Sequence, residues 1–292
     1  MKQVLRGVVV ISVFVVSFAE AQDTLKAGFE VIADISDARA LAVDQDGLLY
    51  VVSASTMFLF NDDGQLITSL DGTSGGVFGE LTDIDPGNGL IWVLADFDFG
   101  SLHRFSKELL HLETIRIPSN SATELGRSPR VDLRDEFATT LGQPIAVSTG
   151  QSGEIFAIDV SAQHVIKWDN SRRLERIIGE FGTGDGQLVE PIRIATDATS
   201  VYVADRSLKR INIFDYFGGY ERSVQTEEDV KHITVFDEEL WIVYTDQIMI
   251  YKNRRRLSRQ MIVELDDSLI AAEPTVDFLF LLTSNQLIKV KI

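Results

Sequence analysis

Chemistry has few places to start in this chain. The sequence holds four histidines, His103, His111, His164 and His232, and no cysteine, which excludes a thiolate metal site and a disulfide framework. A histidine-bound metal would need imidazoles converging on one point. A serine nucleophile would need a base within reach and a sharp strand-to-helix elbow, and none is expected. The glycine-rich run at 181–188 lacks the lysine and the strand-to-helix setting of a phosphate loop. Acidic turns such as Asp44-Gln45-Asp46-Gly47 lack the closing bidentate glutamate of a calcium loop, so they read as turn chemistry. The remaining carboxylates, among them Glu80, Asp83, Glu190 and Glu273, act only if the fold brings them together.

The elements that must position these groups repeat six times. The clearest copy has Pro191-Ile192-Arg193-Ile194-Ala195, then Val201-Tyr202-Val203-Ala204-Asp205, then Arg210-Ile211-Asn212-Ile213-Phe214-Asp215. Aligning the copies gives one aromatic column at Tyr50, Trp92, Phe156, Tyr202, Trp241 and Phe280. A second runs through Phe60, Phe105, Trp168, Phe214, Tyr251 and Val290. Period-two alternation marks the third strands, as in His164-Val165-Ile166-Lys167-Trp168. A repeat of this length built only from strands cannot bury both faces until neighbours cover them, which predicts an all-β, six-bladed β-propeller.

The blades are expected at about 36–70, 80–118, 143–180, 190–224, 229–266 and 268–292. The last copy stops after its third strand. The isolated strand at 28–33 is expected to supply the fourth and close the ring, which removes exposed edges. The connection at 118–143 is the one long interruption, and its Arg127, Arg130 and Arg134 are candidate partner contacts.

Residues 1–21 read as a signal peptide. Lys2 and Arg6 precede an apolar run at 8–18, and Ala19-Glu20-Ala21 is a small-x-small cleavage site. The run is too short to span a bilayer, which takes about 20 residues. Residues 22–292 are therefore expected to be a single exported domain, periplasmic or secreted, monomeric and with no membrane span. The formal charge of −17 becomes −18 without the leader, whose two cations and one anion sum to +1. A surface this acidic repels phosphate backbones and anionic lipids, which disfavours nucleic acid.

The run Phe181-Gly182-Thr183-Gly184-Asp185-Gly186-Gln187-Leu188, with Glu190-Pro191 and Tyr202-Val203-Ala204-Asp205, resembles the NHL repeat. The first and third copies resemble it in outline through Ala42-Val43-Asp44 and Pro144-Ile145-Ala146-Val147. The resemblance implies a six-bladed propeller of the kind shared by NHL and TolB-like proteins. Some of these are lyases with a histidine-bound metal on the propeller axis, and related folds include lactonases with an acidic metal site. Here only His232 falls near an inner strand, and the carboxylates lack matching asparagines. No catalytic residue, metal or cofactor is therefore assigned.

What remains is a rim at the start of the inner strands, with Arg39, Glu80, Gln143, Arg193, Lys231 and His232 as candidate ligand contacts. A basic run, Lys252-Asn253-Arg254-Arg255-Arg256-Leu257-Ser258-Arg259, is expected in a turn on the opposite face. The leading expectation is a non-catalytic module binding a protein or peptide. The alternatives are a metal-dependent hydrolase or lyase working in the channel, and a small-molecule sensor.

Overall fold

The computed structural model describes residues 21–25, 28–87, 92–117 and 142–292. Two strands open the chain, β1 (Ala21–Leu25) and β2 (Glu30–Asp34), in different sheets. The first blade is β3 (Ala38–Val43), β4 (Leu49–Ser53), β5 (Thr56–Phe60) and β6 (Leu66–Asp71), followed by the one-turn helix α1 (Gly72–Gly75). The second is β7 (Leu81–Asp85), β8 (Trp92–Asp96), β9 (Ser101–Phe105) and β10 (His111–Arg116). The third is β11 (Pro144–Thr149), β12 (Ile155–Asp159), β13 (His164–Trp168) and β14 (Leu174–Ile178). The fourth is β15 (Pro191–Thr196), β16 (Ser200–Asp205), β17 (Arg210–Asp215) and β18 (Tyr220–Gln225). The fifth is β19 (His232–Phe236), β20 (Glu239–Val243), β21 (Gln247–Lys252) and β22 (Arg256–Val263). The sixth has β23 (Leu269–Pro274), β24 (Phe278–Thr283) and β25 (Gln286–Lys291).

The sixth blade is completed by β2, which pairs antiparallel with β25 from Glu30↔Lys289 to Asp34↔Gln286. The inner strands β3, β7, β11, β15, β19 and β23 touch in sequence and close back on β3. This is the six-bladed propeller the repeat predicts, closed by its N-terminal strand. One strand was not expected: β1 lies parallel on the outer edge of β22, with Ala21 opposite Arg259 and Leu25 opposite Val263. Residues 1–20 and the loop at 118–141, with Arg127, Arg130 and Arg134, lie outside the described residues. Among the described residues no helix is long and apolar enough to cross a membrane.

Each of the six seams between blades holds one apolar cluster, and the aromatic columns fill them. Tyr50 and Phe105 sit between the first two blades, Trp168 in the next seam, and Phe156 and Phe214 in the third. Tyr202, Trp241 and Phe280 fill the others. Full burial of such a side chain stabilises by about 1.5–3 kcal/mol, so the columns hold blade to blade.

The recurrent aspartate at the end of the second strand has a structural role. Asp205 Oδ2 accepts from the Val189 and Glu190 N–H at 2.7 and 3.1 Å, and its other oxygen accepts from Leu208 N–H. Asp96 and Asp159 do the same for Gly79 and Gln143. In these three blades the carboxylate fastens the approach to the inner strand to its own blade. The glycine run at 181–188 is internally bonded. Phe181 bridges Leu188, and Gln187 Oε1 accepts from Gly184 N–H at 2.8 Å. Gly182 has φ +150°, a backbone conformation that favours glycine.

Candidate functional site

Five of the six inner strands begin with a bulge, between Ala38/Ala40, Leu81/Asp83, Pro144/Ala146, Pro191/Arg193 and Leu269/Ala271. The bulges put the residues that follow in register around the axis. At the first position after the bulge, three blades carry alanine: Ala40, Ala146 and Ala271. The second, fourth and fifth blades carry Asp83, Arg193 and His232 at the matching register. Two residues further along stand Ala42, Asp85, Ser148, Ala195, Thr234 and Glu273. The ring thus supplies acids, a base and an imidazole at two adjacent levels of one channel.

Asp83, Arg193, His232 and the six residues of the second level line a central cavity of about 1490 Å³. His232 Nε2 is 2.8 Å from Glu273 Oε1, and Thr234 Oγ1 donates to Glu273 Oε2 at 3.1 Å. A side chain of the sixth blade therefore orients the imidazole of the fifth. The Arg193 guanidinium donates through Nε to the Lys231 carbonyl at 2.5 Å and through Nη1 to the Ile192 carbonyl at 2.8 Å. Burial pulls Arg193 below its ordinary value, while the nearby Asp83 charge acts the other way.

Asp83 accepts from the Val147 N–H at 2.9 Å. Desolvation pushes its carboxyl up to about 6, against the pull of Arg193, the Val147 amide and His232. Asp85 is also raised by burial, but its oxygens are fully occupied. It accepts from Gly87 N–H and Thr149 Oγ1 at 2.6 Å each, and from Ser148 Oγ and Thr149 N–H at 3.1 Å. Asp85 bolts the second blade to the third, whereas Asp83 keeps acid–base capacity near neutral pH.

The structure divides the six rim candidates. Arg193 and His232 face the cavity. Arg39 pairs with Glu80 and with Asp37 instead, outside the cavity lining. Gln143 is exposed, and its backbone N–H bonds Asp159. Lys231 contributes its carbonyl to Arg193. Two of the six thus belong to the channel cluster, and the other four lie outside the cavity lining. Asp83 and Glu273, weighed as carboxylates but not placed on the rim, belong to the cluster. The signal that finds Asp83 is the register column in which alanine alternates with charge, and Glu273 stands two residues beyond that column's Ala271.

The cavity lining includes the turns between first and second strands, at Asp44, Gly87, Asp197 and Asp277, and Asn253, Arg254 and Arg255 of the basic turn. The basic turn therefore stands at the cavity's mouth. The acidic turns close on themselves: Asp44 Oδ1 accepts from Asp46 and Leu48 N–H, and Asp197 Oδ1 from Thr199 and Ser200 N–H.

Other constellations resolve as structure. Gly72-Thr73-Ser74-Gly75-Gly76 matches G-x-S-x-G in letters and follows a strand, which the expectation of no elbow overlooked. Ser74 is exposed and its hydroxyl bonds Asp71 Oδ2 at 2.9 Å, with no histidine bonded to it. Asp96, Ser101 and His103 meet in the second blade, but both partners contact the same ring atom, Nε2, at 2.9 and 3.2 Å. A relay needs the base between acid and nucleophile, so this is a buried bracket, completed by Thr114 on Nδ1.

A metal on the axis, as the NHL-like resemblance implies for some propellers, does not fit these residues. His232 and Glu273 bond each other, and the Asp83 charge faces the fixed cation Arg193. Among the described residues no group of three His, Asp or Glu could hold an ion.

Fold and site together define a six-bladed β-propeller with a polar cluster inside its channel. No protein-family model and no curated protein sequence matches the chain. Its fold is shared with solved propellers. A gluconolactonase from Xanthomonas campestris superposes with a TM-score of 0.65 at 11% identity, over 90% of this chain and 89% of that one. A streptogramin B lyase gives 0.61 at 10% identity, over 90% and 97%. Catalytically inactive virginiamycin B lyase from Staphylococcus aureus with quinupristin gives 0.58 at 9%, over 90% and 99%.

Proposed function

We propose that the chain is an exported ligand-binding propeller that takes a small polar molecule into its central channel. The observation that carries this reading is the convergence of Asp83, Arg193 and His232 at one register level, with Glu273 holding the imidazole. Charged groups are expensive to bury beside an apolar wall unless something is gained from them. A large concave site with a few convergent polar groups is the usual form of a small-molecule site. The leader-like residues 1–21 support export, and the fourth copy's likeness to the NHL repeat supports a place among NHL-type propellers. A protein- or peptide-binding role, expected from the complete ring, the missing catalytic constellation and the charged connection at 118–143, is not tested by the described residues, since 118–141 lie outside them.

A second reading, an acid–base enzyme in the same channel, draws on the His232–Glu273 pair and on a carboxyl raised to about 6 beside it. The solved lyases and the gluconolactonase sharing the fold support it by analogy alone.

One experiment separates these outcomes. The purified protein is melted against a panel of sugars, amino acids, organic acids and lactones, and the mixtures are followed by mass spectrometry. A compound that raises the melting temperature of the native chain, but not of Arg193→Met or His232→Gln, supports a channel ligand. Product formation lost in His232→Gln supports the enzyme reading. Hits that stabilise native and channel variants equally, or a panel without hits, would count against the channel as a site.

A further inference from the structure

We infer that Arg222, Arg254 and Arg255 form a receptor for an oxyanion at the mouth of the channel, so that the channel ligand carries a phosphate, sulfate or carboxylate group. The second half rests on the channel reading above; the anion receptor itself does not.

Three guanidinium groups from the fourth and fifth blades stand together on a chain whose net charge is −17. All three line the central cavity, and all three line a shallower cleft of about 390 Å³ beside it. The carboxylates facing them are Asp197 and Glu221, and both are engaged by Arg254. Arg254 Nη2 donates to Asp197 Oδ2 at 2.7 Å and to Thr199 Oγ1 at 2.8 Å, and its Nη1 lies 3.5 Å from Glu221. Asp197 Oδ2 also accepts the Tyr202 hydroxyl at 2.5 Å.

Arg222 donates to the Asn253 carbonyl at 3.1 Å. Burial and the neighbouring Arg255 and Arg254 charges hold its guanidinium below the ordinary value, with Tyr202 and Glu221 acting the other way. Arg255 is exposed and makes no ion pair among the described residues. Two guanidinium forks are thus left with donors to spare, one of them crowded by like charge, and a bound anion relieves that crowding.

The backbone of the turn fixes where these side chains stand. Asn253 and Arg254 both have positive φ, 50° and 57°. Positive φ at both central residues is how a tight hairpin turn is built, and the Asp237-Glu238 turn of the same blade has it too, at 50° and 61°. Arg254 is fixed there by Asp197, by Thr199 and by the Tyr202 ring 5.6 Å below it. The mouth is therefore set before any ligand arrives.

Titration calorimetry with sodium phosphate at low ionic strength, chloride held constant, tests the site on the native chain. We expect one phosphate bound per chain, and affinity weakened about tenfold or more in Arg222→Gln/Arg255→Gln, a variant that breaks no carboxylate pair. Two results would overturn the receptor: no heat up to about 10 mM phosphate, or equal affinity in the double variant. Binding to phosphatidylglycerol vesicles with no response to phosphate would assign the arginines to a lipid headgroup and overturn it too. Phosphate affinity lost in His232→Gln but kept in the double variant would move the anion to the deep cluster and leave the channel reading standing. Panel hits that bind in the channel equally well with and without an acid group would remove only the ligand class inferred here.

Discussion

Glu273 Oε1 and His232 Nε2 stand 2.8 Å apart across the seam between the last two blades, joining in the channel two residues 41 positions apart in sequence. Glu273 also takes the Thr234 hydroxyl, so Glu273→Ala leaves two partly buried donors unmatched. The expected loss is about 1–3 kcal/mol of unfolding free energy in urea. Glu273→Gln, which keeps an acceptor, should lose less than half of that.

The Asp83 carboxyl titrates near 6 because burial opposes its charge. Its folded-state value lies above the unfolded value of 3.8, so its contribution to stability is complete below about pH 4 and is lost as pH rises through 6. The stability of Asp83→Asn relative to the native chain should therefore rise between pH 4 and pH 7, by about 2–3 kcal/mol. Paired urea unfolding curves at the two pH values measure it, and parallel pH dependences would refute the shift.

Asp85, half-buried, and Asp205, buried, each accept several hydrogen bonds, and neither is assigned to ligand. Asp85→Ala and Asp205→Ala should each destabilise by about 2–4 kcal/mol, seen as a lower urea midpoint. Phosphate binding at the mouth should stay intact in whatever fraction remains folded.

Ring closure gives a sharp truncation boundary. A chain starting at Gly28 loses only β1, which adds to the outer edge of β22, and should unfold cooperatively within about 2 kcal/mol of the longer chain. A chain starting at Ile35 loses β2, leaving the β25 edge bare and withdrawing Ile32 and Ala33 from the seam with the first blade. Circular dichroism on heating should then show a broad, low-temperature transition.

The fold was legible because its signals are periodic. Aromatic residues recur wherever a seam must be filled, as at Tyr50, Phe156 and Tyr202, and turns recur wherever strands reverse. The parallel strand β1 left no such mark, since one strand on an outer edge repeats nothing. The site was half legible for the opposite reason: function breaks the repeat. Arg193 and His232 stand out as polar residues on inner strands, whereas Arg39 and Glu80 look the same in sequence but pair with each other. Asp83 resembles Asp85 in type and spacing. Only the hydrogen bonds show that Thr149 and Ser148 saturate one of them and leave the other facing Arg193.

The central claim is that the channel cluster binds a ligand. It is tested most directly by calorimetric titration of the strongest panel compound into the native chain and into His232→Gln/Arg193→Met. One-to-one binding to the native chain, weakened at least about tenfold in the double variant, is the predicted result. Equal affinity in both proteins, with the variant folded, would contradict it.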